Sequence, residues 1–164
     1  MRKAIVWLLV VGFAVSGCLK KESGCPYKNS SIVASVAEQK AVTDYLDSNH
    51  ITTAVKHSGG MYYEITNAGT SGSPGLCSQI LVNYTGKLAS GTVFDSQASA
   101  VFTLGSLIES WKLGIPLIQK GGNITLYVPP SLGYGSNDVK DANNNVVIPA
   151  NSVLIFNISL ANWQ

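Results

Sequence analysis

The stretch at residues 152–163 constrains the chain most. Leu154, Phe156, Ile158 and Leu160 alternate with Val153, Ile155, Asn157 and Ser159. A period of two is the signature of a strand with one strongly buried face, and it forbids a helix there. Residues 61–65, 78–88 and 123–128 read as further strands, and 93–95 and 100–104 as shorter ones. Ala89-Ser90-Gly91 signals a turn, and the Gly/Ser/Pro-rich 68–75 and the long 129–149 read as loops. Only residues 106–119 carry a helix-like period within this region. Leu107, Trp111 and Ile115 recur every four residues, and Pro116 closes the run. Many strands with one short helix predict an α+β fold, an antiparallel β-sheet wrapped around that helix. A second, amphipathic helix is expected ahead of it over 32–49. There Ala37, Ala41 and Tyr45 form one ridge beside Val42 and Leu46, and Asn49 is a C-cap candidate. That helix either packs on the domain or serves as a dimerisation or partner helix.

The first eighteen residues are of another kind. Arg2 and Lys3 precede an apolar run from Ala4 to Val15. The run is too short for a bilayer span, which takes about 20 apolar residues. Val15-Ser16-Gly17-Cys18 then places small residues before a cysteine, which resembles the lipobox of bacterial lipoproteins. The resemblance implies cleavage after residue 17 and acylation of Cys18. It also implies a protein held in the bacterial cell envelope, facing the periplasm, on the outer membrane in preference to the inner. Lys20 and Lys21 follow the anchor, and no aspartate follows Cys18. The expected organisation is a leader (1–17), a lipid-anchored polar tether (18–31), a helical extension (32–55) and the main domain (56–164).

Cys25 and Cys77 remain. Outside the cytoplasm they would oxidise to a disulfide pinning the tether to the domain; the alternative is two unpaired thiols. With His50 and His57 they match no zinc spacing, so no metal and no cofactor is expected. Once Arg2 and Lys3 are removed, nine lysines balance nine acids and no arginine is left. That excludes a nucleic-acid footprint. A monomer is expected.

Four blocks in order carry a family resemblance. They are Val82-Asn83-Tyr84-Thr85-Gly86 with Gly91-Thr92-Val93-Phe94-Asp95-Ser96; Phe102-Thr103-Leu104-Gly105 with Leu107-Ile108 and Trp111; Tyr127-Val128-Pro129-Pro130 with Leu132-Gly133-Tyr134-Gly135; and Val147-Ile148-Pro149 with Leu154-Ile155-Phe156. Residues 60–164 resemble the FKBP-type peptidyl-prolyl cis–trans isomerases over their whole length. The resemblance implies proline-containing polypeptides as substrates. It implies Trp111 as the floor of an apolar pocket, with Tyr84, Phe94, Ile108 and Phe156 as walls, Leu107 beside them, and Val147 and Ile148 as a rim. Tyr134 would offer its hydroxyl to a substrate carbonyl, and the Ile108 amide would be a second donor. Asp95, held by the Tyr84 hydroxyl, would bias the carbonyl dipole. Phe102 and Leu104 are expected in the core.

The chemistry suits such residues. Amide resonance sets a barrier of about 18–20 kcal/mol to rotation. In the twisted state the dipole shrinks, so an apolar pocket removes the bias that water gives the planar form. A hundredfold acceleration needs only about 2.7 kcal/mol and no nucleophile.

The chain also departs from the family pattern. Ala100 stands where many relatives have an aromatic, Ser110 where glycine is usual, and Gly114-Ile115-Pro116 is expected to shorten or kink the helix. The Asn-rich 135–145 suggests turns and mobility, and Asp138 and Asp141 match no calcium loop. Asn83, Asn123 and Asn157 each begin an N-x-Ser/Thr triplet, all in expected strands. Two rivals to an isomerase are a non-catalytic chaperone or adaptor that holds proline segments, and a structural surface lipoprotein whose helix at 32–49 binds a partner.

Overall fold

The computed structural model describes residues 24–29 and 31–164. The expected leader, Cys18 and half of the tether lie outside them. The elements are helix α1 (Val36–Ser48), strands β1 (Val55–Lys56), β2 (Tyr62–Asn67), β3 (Gln79–Leu88) and β4 (Val93–Thr103), helix α2 (Glu109–Gly114), and strands β5 (Asn123–Val128), β6 (Val139–Lys140), β7 (Val146–Ile148) and β8 (Leu154–Trp163). Six strands form one antiparallel sheet in the order β1-β2-β5-β8-β3-β4, and β6 and β7 form a separate hairpin.

The alternation in β8 sets the layers. Leu154, Phe156, Ile158 and Leu160 face inward and are buried with Ile80, Val82, Leu126 and Val128. The short α2 fills the concave side, with Trp111 and Ile115 in the same core. It comes close because of Gly114, where a Cβ would lie 2.6 Å from Leu126 Cδ2. The α-helix stops there, at the Gly114-Ile115-Pro116 stretch expected to shorten it. Three-residue 3₁₀ turns precede and follow it, the second (Ile115–Leu117) built around Pro116. Proline lacks the N–H that would continue the α-helix.

Ile155 is buried too, because α1 covers that end of the outer face. Val42 and Leu46 of α1 pack with Tyr127 and Ile155 in a second small core. The helix begins later than the expected residue 32, at a capping box. Ser35 Oγ accepts from Glu38 N at 3.3 Å, and Glu38 Oε2 accepts from Ser35 N at 2.8 Å. At the other end of the described tail, Cys25 is bonded to Cys77, with Cα atoms 5.7 Å apart. Tyr27 lies against Gly105.

Two expectations are corrected. The fragments at 93–95 and 100–104 are one strand, β4. Polar Ser96-Gln97-Ala98-Ser99 hid this by interrupting the apolar pattern. The register passes from Tyr84↔Gln97 to Val82↔Ala100, so β4 carries one extra residue. Ser99 adopts φ 55°, and its N–H is taken by Asn83 Oδ1 at 2.8 Å. The long loop at 129–149 is also organised, by a 3₁₀ turn (Pro130–Leu132) and the β6–β7 hairpin. Asp141 Oδ1 accepts from the amides of Asn143 and Asn145, and Asp138 Oδ1 from Ala150 N. Asp141 caps the hairpin turn, and Asp138 ties the start of the hairpin to the segment after it.

Candidate active site

Strands β3 and β4 run side by side, so Tyr84 and Asp95 come from neighbouring positions on the sheet. The Tyr84 hydroxyl donates to Asp95 Oδ2 at 2.6 Å. Helix α2 brings Trp111 onto the concave face, where it is 4% exposed. Three rings meet it edge-on or nearly so: Tyr84 at 5.1 Å, Phe156 at 5.5 Å and Phe102 at 6.1 Å between centroids. Edge-to-face pairs of this kind hold one another by about 0.5–1.5 kcal/mol each beyond the area they bury. Around them is a cavity of about 160 Å³, lined by Tyr84, Asp95, Phe102, Leu107, Ile108, Trp111, Tyr134 and Phe156.

Seven of those eight residues are among the site residues expected from sequence. Phe102 is the addition. It was expected in the core, yet its ring stands 6.1 Å from both Tyr84 and Trp111 and lines the cavity. Its pairing with Ile80 across the sheet puts it on the inner face, a signal readable once the β4 bulge is allowed. Three expected residues do not line the cavity. Ile148 pairs with Val139 in the hairpin and is buried in the main core, and Val147 packs half-buried against that core. Phe94 stands one layer back, edge-on to Phe156 at 5.6 Å and to Tyr134 at 6.4 Å. It reaches that place only because residue 86 is glycine, where a Cβ would lie 2.6 Å from Phe94 Cζ.

Burial pushes the Tyr84 phenol far above its ordinary range, and the hydrogen bond and negative charge of Asp95 push it the same way. Burial raises Tyr134 as well, with Asp95 adding to it. Both hydroxyls therefore stay protonated through and beyond neutral pH. Trp111 Nε1 and the neighbouring Ser110 Oγ are buried without a hydrogen-bond partner. Among the described residues, no group of three or more His, Cys, Asp and Glu side chains is placed to hold a metal ion. The cavity thus offers an apolar floor, protonated phenols and one carboxylate at its edge. Among the described residues, no serine, cysteine, lysine or histidine lines it.

A larger depression, of about 530 Å³, lies on the outer face of the sheet among uncharged side chains such as Asn83, Thr125 and Asn157. It lacks the cluster of rings around Trp111, and its size alone does not make it the reactive site.

Comparison with known proteins agrees with the inner cavity. Residues 72–161 match the family model described as FKBP-type peptidyl-prolyl cis-trans isomerase. The FKBP-type isomerase FkpA of Aeromonas hydrophila is 33% identical over 130 residues, 76% of this chain and 46% of that protein. The isomerase Mip of Coxiella burnetii is 37% identical over 105 residues, 62% of this chain and 44% of that protein. The chain thus spans less than half the length of either relative. The crystal structure of FkpA from Escherichia coli superposes with a TM-score of 0.66 at 28% identity, covering 78% of this chain and 60% of that one. With the family model matched over β3 to β7, α2, nearly all of β8 and every residue lining the cavity, this chain belongs to the FKBP-type peptidyl-prolyl cis–trans isomerases.

Proposed function

We propose that this protein isomerises Xaa-Pro bonds of exported polypeptides, assisting their folding in the bacterial cell envelope. One observation carries the reading: an apolar cavity floored by a nearly fully buried tryptophan, with a Tyr84–Asp95 pair at its edge. In this reading the proline ring enters over Trp111 between Tyr84, Phe102 and Phe156. The adjoining amide leaves water, and with it the solvation that favours the planar, polar form. The twisted form is then bound better than the ground state, which is what lowers the barrier. Tyr134 donates its hydroxyl to the substrate carbonyl, and the Ile108 amide is a second donor. Asp95, fixed by Tyr84, orients the carbonyl dipole by its charge, which acts strongly in a water-poor site.

Residues 1–17 act as a leader and Cys18 carries the lipid in this proposal. The domain faces the periplasm as a monomer, on the outer membrane in preference to the inner, and binds no nucleic acid. Support comes from the charged, apolar and small-residue sequence of that segment and from the paired Cys25 and Cys77, which suit an oxidising compartment.

The test is NMR exchange on a short Xaa-Pro peptide, with the full chain as catalyst. Acceleration is expected, and Asp95→Ala lowers it about tenfold, equivalent to about 1.4 kcal/mol of transition-state stabilisation. If a stably folded Asp95→Ala protein turns over like the unsubstituted one, the assigned role of Asp95 is wrong. Peptide binding without acceleration would leave a proline-holding chaperone.

A further inference from the structure

The 3₁₀ turn Pro130–Leu132 stands just ahead of Tyr134 and is the backbone root of that side chain. The Pro130 carbonyl accepts from Gly133 N and Gly135 N, at 2.9 Å each, the residues on either side of Tyr134. Leu132 N donates to Pro129 O at 3.1 Å. Pro130 has no N–H, so the first donor of the turn is Ser131 N, and at this half-buried position an acceptor from the protein stabilises it. It finds one 93 residues away: Ser131 N donates to Glu38 Oε1 at 2.7 Å.

Glu38 is itself fixed. Its other oxygen accepts from Ser35 N at 2.8 Å in the capping box that starts α1. One helical turn on, Val42 seats the same helix in the small core with Tyr127, near the end of β5. Helix α1 therefore braces both ends of the short link from Tyr127 to Ser131 that delivers Tyr134 to the cavity. The Tyr134 ring needs such support. It is 41% exposed, and its ring partner Phe94 stands 6.4 Å away, centroid to centroid. Its backbone, rather than close packing of the ring, decides where the hydroxyl lies.

We infer that Glu38 is a positioning residue for the site: through Ser131 it holds the turn that sets the Tyr134 hydroxyl over the cavity. The N-terminal extension is then part of the working site as well as a cover for the sheet. This rests on the isomerase reading above.

The experiment compares the full chain with Glu38→Ala, Glu38→Gln, Tyr134→Phe and the Glu38→Ala/Tyr134→Phe double variant. Three quantities are read: Xaa-Pro exchange (kcat/KM), Xaa-Pro peptide affinity, and the Ser131 amide resonance. Glu38→Ala should lower kcat/KM about threefold, close to Tyr134→Phe, and the double variant should fall no further, because one interaction is lost by two routes. Glu38→Gln keeps a carbonyl oxygen for Ser131 and should recover most of the loss. The Ser131 resonance should move in Glu38→Ala and stay near its original position in Glu38→Gln. A double variant reduced by the product of the single losses, about ninefold, would overturn the inference. So would a Ser131 resonance unmoved by Glu38→Ala. If the unsubstituted chain does not accelerate exchange, the isomerase reading fails separately. Peptide affinity then carries the same comparison: equal, non-additive weakening upholds the positioning role, and additive weakening overturns it.

Discussion

The two faces of the sheet are made by the same strands and differ in nearly every other respect. Inward, β3, β4 and β8 present Tyr84, Phe102 and Phe156 to Trp111. Outward, the same strands present rows of small uncharged polar groups. Thr125 faces Asn157, which faces Thr85; Asn123 faces Ser159, which faces Asn83. The three N-x-Ser/Thr triplets of the sequence thus fall on adjacent strands in register. Thr125 Oγ1 donates to Asn157 Oδ1 at 3.0 Å, and Thr85 and Ser96 hydroxyls lie 3.2 Å apart. The outer depression is the larger of the two, at about 530 Å³ against about 160 Å³. The contrast shows that volume is a poor guide to chemistry. Weakening amide solvation takes a dry, apolar floor, which the polar outer rows do not supply.

Substitutions can break this contrast at either face. The largest effect is expected from Phe156→Ala, which removes a ring from both core and cavity. It should cost about 3–5 kcal/mol in urea unfolding, and exchange activity should fall with it. A loss under about 1 kcal/mol would mean that the inner face is not the packed unit described.

Next in size is the response to pH, because a carboxyl held low and buried phenols held high act at opposite ends of the scale. On the α1 side, burial pushes the Glu38 carboxyl up, but the hydrogen bonds from Ser35 and Ser131 together outweigh it and leave its pKa below 4.5. A lowered folded pKa gives stability that is present above the unfolded value and lost as pH falls through the folded one. Inside, the raised Tyr84 and Tyr134 phenols give stability that is full below pH 10.0 and is lost as pH rises from there toward their folded values. Urea midpoints should therefore fall at both extremes. In Glu38→Gln the acid arm should shrink while the alkaline arm stays. Phenolate absorbance should appear later in the folded protein than in the unfolded one, and coincident titrations would remove the burial argument.

The smallest effect is expected on the bare outer face. Asn157→Ala should change stability by no more than about 0.5 kcal/mol and leave exchange activity as it was. A clear loss of activity would show that the outer rows take part in the reaction after all.

Much of this molecule was legible before any coordinates. The period of two in β8 announced its buried face, and Pro116 announced the end of the central helix. The family blocks pointed to Trp111, Tyr84, Asp95, Tyr134, Leu107, Ile108 and Phe156, all of which line one cavity. These signals are local: side-chain direction follows from backbone period over a few residues. The misreadings share another cause. The β4 bulge at Ala98–Ser99 depends on an Asn83 side chain across the sheet. Ile148 meets Val139 across a hairpin and packs in the main core. Phe102 joins the wall because α2 docks where Gly114 admits it. The Glu38–Ser131 bond joins segments 93 residues apart, and no sequence period reaches that far. Sequence by itself determined which residues could be strand, helix and aromatic lining. Tertiary structure alone decided which of them meet, because contact between distant segments depends on how whole elements pack, and packing is settled only when all of them are in place.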